Sequence, residues 1–189
     1  MRRVLASASP RRKEILQTLG IGFDVVPSTV DEPVIKGLTP EALARHHACA
    51  KAKDVASRER GYVLGADTVV VVDGVVLGKP VDEAEAASMI TRLAGRWHEV
   101  ISGVALVWPG RVEELSVTTR VEFRAIDDDT ARRYAATGEG ADKAGAYAVQ
   151  GMGAGLVARI EGSYSNVVGL PAAETVELLE RNGALAEWP

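Results

Sequence analysis

Ser7, Ser9, Arg11 and Arg12 are crowded into one short stretch, Leu5-Ala6-Ser7-Ala8-Ser9-Pro10-Arg11-Arg12, and their chemistry is that of an anion trap. The serines offer hydroxyl donors, and the arginines offer planar forks that match phosphate oxygens. Ser9 is suited to be a helix N-cap, and Pro10 suits the first helical position, where a missing N–H costs nothing. The helix they open would aim unpaired backbone N–H groups and a partial positive charge at the carboxyl end of the preceding strand. On its own, the stretch also reads as a capped surface helix with two solvated arginines.

The acids complete a second chemistry. Asp67, in Gly65-Ala66-Asp67-Thr68, follows a predicted buried strand over 62–66, at the carboxyl end where α/β sheets place ligands. A plain turn aspartate fits the same position. Glu32 follows Asp31 in a polar loop, where acids are commonly just solvated. Together, Glu32 and Asp67 could hold a hard divalent cation through oxygen, leaving positions for water and substrate phosphates. The histidines do not suggest zinc: adjacent His46 and His47 point about 100° apart on a helix, and His98 has no partner at ligand spacing. Cys49 reads as a core residue rather than a nucleophile. Lys51 on an alanine-rich helix and Lys79 in Gly78-Lys79-Pro80 each fit a solvated lysine when taken singly. The small-residue stretch from Asp142 to Gly153 surrounds Tyr147 and Gln150 and permits close backbone approach to a ligand. Gln150 there could read a base edge with one donor and one acceptor group.

These residues need a scaffold, and the pattern supplies an α/β one. Strand and helix signals alternate, with hairpins mixed in, which predicts a mixed sheet. Strands are predicted at 4–6, 23–26, 62–66, 69–72 and 75–77, the last two joined by Asp73-Gly74. A long hairpin is predicted over 98–108 and 112–123, around Pro109-Gly110. Helices are predicted from Pro10 to Leu19, from about Pro40 behind Thr39, from Asp82 to Ala94, from Asp128 towards Gly138, and from Pro171 to Arg181. No linker or repeat interrupts the chain, so residues 1–189 are read as a single domain.

Composition narrows the function. The chain has 189 residues with 47% hydrophobic and 25% charged, the profile of a soluble globular protein able to bury a sizeable core. A net charge of −4 and 5% aromatics argue against a nucleic-acid-binding surface. Local positive charge at Arg11, Arg12 and Lys13 points to a small anionic ligand instead. A single cysteine fits a reducing compartment, the apolar run after Arg2-Arg3 is too short for a secretion signal, and no segment has membrane-spanning length. A cytoplasmic location without membrane partners is the expectation.

Five segments, in order along nearly the whole chain, resemble the Maf family of nucleoside triphosphate pyrophosphatases: Ser7–Arg12, Gly65–Val70, Gly78-Lys79-Pro80, Asp142–Gly145 with Gln150-Gly151, and Ser163–Pro171. The resemblance implies an elongated α/β fold with a twisted mixed sheet, two lobes and a central cleft, with homodimers frequent. It implies hydrolysis of a nucleoside triphosphate to the monophosphate and pyrophosphate with a divalent metal, Mg²⁺ or Mn²⁺. Carried over by residue, Ser7, Ser9, Arg11, Arg12, Lys51, Thr68, Lys79, Lys143 and Gln150 would bind substrate. Glu32 and Asp67 would lie at the metal, and Asp67 would be the catalytic residue, as base or as metal ligand. Asp142-Lys143-Ala144-Gly145 and Gln150 match the subgroup acting on dTTP and UTP. His46-His47 departs from the family helix, which carries a larger aliphatic residue there. A nucleotide-binding regulator of cell division without turnover is the alternative reading.

Overall fold

The computed structural model describes residues 2–189 and has the expected alternating α/β order. In chain order the elements are β1 (Arg3–Leu5), α1 (Pro10–Thr18), β2 (Asp24–Val25), α2 (Pro40–Ala56), β3 (Tyr62–Val72) and β4 (Val75–Leu77). They continue as α3 (Glu83–Leu93), β5 (Trp97–Trp108), β6 (Arg111–Phe123), α4 (Asp128–Ala135), β7 (Val157–Glu161), α5 (Tyr164–Val168) and α6 (Ala172–Arg181). Local chemistry explains the helix starts. Ser9, Thr39, Asp82 and Asp127 each accept a hydrogen bond from the backbone N–H three residues on, and Pro10 and Pro40 open their helices.

The sheet is mixed, in the order β2-β1-β3-β5-β6-β7 with β4 paired to β3. β1 is parallel to β2 and β3, whereas β3–β4 and β6–β7 are antiparallel. One expectation is corrected here. The strand predicted to stop at Ala66 continues to Val72, so Asp67 lies inside β3, not at a strand end. Glycine and aspartate are poor strand formers, but every residue of this strand except Thr68 is buried, and packing overrides propensity.

The chain divides into two compact units. The first comprises Met1–Thr68, Ser102–Val117 and Gly169–Pro189; the second comprises Val69–Ile101 and Thr118–Val168. Within the first unit, strand alternation sorts side chains onto two faces. Leu5, Leu64, Ala66 and Leu106 join Leu16 of α1 and Leu178 and Leu179 of α6 in one apolar cluster. Val4, Ala6, Val63 and Ala105 join Ala48, Ala52 and Val55 of α2 in the other. The second unit is organised around the buried rings of His98, Phe123 and Tyr147, which meet edge to face with centroids 4.8–5.5 Å apart.

Candidate active site

Alternation along β3 decides which helix each neighbouring residue meets. Asp67 shares the parity of Val63 and faces α2, whereas Thr68 shares the parity of Leu64 and Ala66 and meets α1. The approach of α2 is close because Gly65 has no side chain: a Cβ there would stand 2.2 Å from the Ala48 carbonyl oxygen. At that separation His47 and Lys51, one helical turn apart, both reach the Asp67 carboxylate.

Asp67 is only 5% exposed, and each of its oxygens has a cationic partner. Lys51 Nζ donates to Oδ1 at 2.8 Å, and His47 Nδ1 meets Oδ2 at 3.2 Å. Lys51 also pairs with Glu32 Oε1 at 2.5 Å, so its ammonium stands between the two acids. The other nitrogen of His47, Nε2, lies 3.0 Å from the Pro33 carbonyl, which can only accept. An acceptor at each ring nitrogen favours the doubly protonated imidazolium of His47 over the neutral ring. Burial pulls the Asp67 carboxyl upward, but the His47 hydrogen bond and the charges of Lys51 and Arg12 outweigh it and leave the group at about 2. The same hydrogen bond from Asp67 raises His47 above its ordinary value against the opposing effect of burial.

On the other face, Arg12 is buried rather than solvated. Nε donates to the Gly169 carbonyl at 2.9 Å, one terminal nitrogen to Ser7 Oγ at 3.1 Å, and the other to Thr68 Oγ1 at 3.3 Å. Burial lowers its pKa, and the charges of Asp67 and Glu32 oppose that change. Each terminal nitrogen retains a second N–H for a ligand oxygen. Ser7 Oγ also accepts from the Ser9 amide, and Ser9 caps α1 as expected, while Arg11 is half-buried. A lysine at position 12 cannot span three acceptors from one nitrogen. Arg12→Lys is expected to lower stability by about 1–3 kcal/mol and kcat/KM by roughly 10-fold, with Arg11→Lys costing clearly less. Urea midpoints and steady-state kinetics on both variants check this, and equal tolerance at the two positions contradicts it.

The first unit therefore assembles Ser7, Ser9, Arg12, Glu32, Lys51, Asp67 and Thr68, and carries Arg11 on α1. Lys79, Lys143 and Gln150 belong to the second unit. Lys79 is exposed in the loop after β4, and that loop is tied to the glycine-rich stretch by a bond from the Gly145 amide to the Gly78 carbonyl. Lys143 Nζ donates to the Glu139 carbonyl and to Asp142, both at 2.5 Å, and Gln150 is exposed. The residue that sequence reasoning missed is His47. Its only signal was its spacing from Lys51 on α2, which says nothing about the strand opposite.

Among the described residues no three His, Cys, Asp or Glu side chains converge to hold a metal ion. The donors that do converge are two carboxylates bridged by one ammonium, Glu32 and Asp67. Two hard oxygen donors suit Mg²⁺ or Mn²⁺, whose remaining positions are filled by water and phosphate.

The family described as Maf-like protein matches residues 2–182. A dTTP/UTP pyrophosphatase of Myxococcus xanthus is 54% identical over 187 residues, covering 98% of this chain and 94% of that protein. Another protein of that name, from Geotalea uraniireducens, is 50% identical over 185 residues, covering 96% and 95%. A third, from Halalkalibacterium halodurans, is 45% identical over 181 residues, covering 95% of each.

Proposed function

The chain belongs to the Maf family, and we propose that it is a nucleoside triphosphate pyrophosphatase that hydrolyses dTTP and UTP to the monophosphate and pyrophosphate. The observation that carries this reading is the charge cluster in which buried Asp67, Lys51 and His47 meet the exposed Glu32, with Arg12 adding its field from the other face of β3. A surface protein fold has no need to bury so many ions, and strongly perturbed, paired groups mark functional sites.

Attack of water at the α-phosphorus needs positive charge on the phosphate oxygens and an aligned nucleophile. Arg12 presents its two remaining N–H groups, fixed in direction by the Gly169, Ser7 and Thr68 bonds. Ser7, Ser9, Arg11 and the N-terminus of α1 add donors, and Lys79 is assigned to the same triphosphate. Asp67 spends one lone pair of each oxygen on Lys51 and His47 and keeps the others for a water or a cation. With its carboxyl at about 2, Asp67 is a poor free base, so orientation of the nucleophile is the role that suits it. A divalent cation, when bound, would be held by Glu32 and Asp67 and would supply charge neutralisation at the phosphate oxygens. Gln150 is assigned to the pyrimidine edge and Lys143 to the same end of the substrate.

The span of the family match supports reading residues 1–189 as one domain. Among the described residues no helix is long and apolar enough to cross a membrane, and the lone, buried Cys49 supports a cytoplasmic protein. We place neither nucleic acid nor membrane among its partners, and read it as a homodimer on the family pattern. The test is chromatography of the products from dTTP with Mg²⁺ or Mn²⁺. Monophosphate and pyrophosphate in equal amounts are expected. Diphosphate with inorganic phosphate would mean attack at the γ position, and binding without turnover would favour a regulator.

A further inference from the structure

The glycine-rich stretch that carries Gln150 is held by two side chains outside the charge cluster. Glu139 lies four residues past the end of α4, and Tyr134 lies on α4 itself. Glu139 Oε1 accepts from the Met152 amide at 2.8 Å, and Oε2 accepts from the Gly153 amide at 2.9 Å and the Tyr134 hydroxyl at 2.8 Å. The Tyr134 oxygen accepts in turn from the Ala148 amide at 3.0 Å. The backbone on both sides of Gln150 therefore hangs on one phenol and one carboxylate. The contact is tight: a Cβ at Gly151 would stand 1.9 Å from Glu139 Oε1, so only glycine lets the carboxylate lie against the chain next to Gln150. The main-chain carbonyl of Glu139 also receives Lys143 Nζ, so the two residues assigned to the base end share this anchor. Burial pulls the Glu139 carboxyl upward, but the Gly153 amide, the Tyr134 hydroxyl and the Met152 amide outweigh it and keep the group ionised.

We propose that Glu139 and Tyr134 are positioning residues for nucleobase selection, acting through the backbone of residues 148–153 that presents Gln150. The inference rests on the assignment of Gln150 to the base edge. Recognition of an edge by hydrogen bonds depends on placement within about 0.5 Å, and discrimination collapses when the reading group drifts. Glutamine at position 139 keeps the shape but offers one oxygen to three donors and turns its own amide N–H towards one of them. Phenylalanine at 134 removes the hydroxyl that links Ala148 to Glu139.

The experiment measures kcat/KM for dTTP, UTP, CTP and dGTP on the native protein and on Glu139→Gln, Tyr134→Phe and Gln150→Ala, with amide hydrogen exchange by NMR. For Glu139→Gln the dTTP-to-dGTP ratio of kcat/KM is expected to shrink by roughly 10-fold, with kcat on dTTP altered less than about 3-fold. Exchange at Met152 and Gly153 should quicken while β1 and β3 keep their protection, and Tyr134→Phe should do the same at Ala148 with a smaller loss of selectivity. A uniform fall on all nucleotides with the ratio intact would reduce the pair to a structural role and overturn the proposal. Unchanged exchange at those amides would overturn it too, whatever the kinetics. If Gln150→Ala leaves the ratio untouched while exchange responds as expected, the assignment of Gln150 has failed, and selection by this route fails with it.

Discussion

Asp67→Asn is expected to lower turnover of dTTP by at least roughly 10²-fold, the low end for loss of a group that handles the nucleophile. It should also destabilise the protein measurably. A residue at an exposed strand end would tolerate the change, but Asp67 is buried inside β3 and receives Lys51 and His47. Asparagine leaves those cations without their anion, at a cost of about 3 kcal/mol. For a chain of this length that is roughly 6–12 °C in Tm. The difference between the two proteins should depend on pH in a defined direction. The native carboxyl titrates at about 2 against an ordinary 3.8, so its contribution is complete above pH 4 and fades as pH falls towards 2. On the alkaline side, His47 is raised above its ordinary 6.5, so the pairing weakens as pH climbs through that raised value. Thermal melts from pH 2 to 9 on both proteins give the curve. Near-native turnover together with an unchanged Tm would leave Asp67 no part in the site.

The start of α1 was legible because its logic is local: Ser9 and Pro10 are adjacent, and the caps of α1, α2 and α3 follow from neighbouring side chains. Burial of Arg12 was not legible, since Gly169 and Thr68 are distant in sequence. The continuation of β3 through Asp67 was missed for a related reason. Residue propensities at Gly65 and Asp67 argue for a break, whereas the close approach of α2 at Gly65 and the pairing of Val70–Val72 with β4 argue for continuity. His47 and Glu139 mark the same limit. Each is one polar residue among many until the fold sets an acceptor or a row of amides beside it. Lys51, Glu32 and Asp67 were each ambiguous alone, and it is the fold that brings them together, with one ammonium bridging both acids.

That bridge sets the expected outcome for Lys51→Met. Methionine fills a similar unbranched volume, so the change removes charge more than packing. Without the ammonium, the carboxylates of Glu32 and Asp67 face each other, and the Asp67 carboxyl loses one of the influences that lower it. Stability should fall by about 3 kcal/mol, as for any buried pair stripped of one partner. Turnover should fall by at least roughly 10-fold, because the charge that steadies both acids is gone. Affinity for Mn²⁺ without nucleotide should move the other way, tightening by roughly 10-fold, since two like charges at one point attract a cation more strongly when no ammonium competes for their oxygens. Electron paramagnetic resonance of free Mn²⁺ measures that affinity without any turnover. Lys51→Arg, which keeps the charge in a bulkier head, should recover stability more than turnover. Weaker Mn²⁺ binding in Lys51→Met would mean that Glu32 and Asp67 are not the pair that holds the cation, and Lys51 would then be assigned to the triphosphate alone.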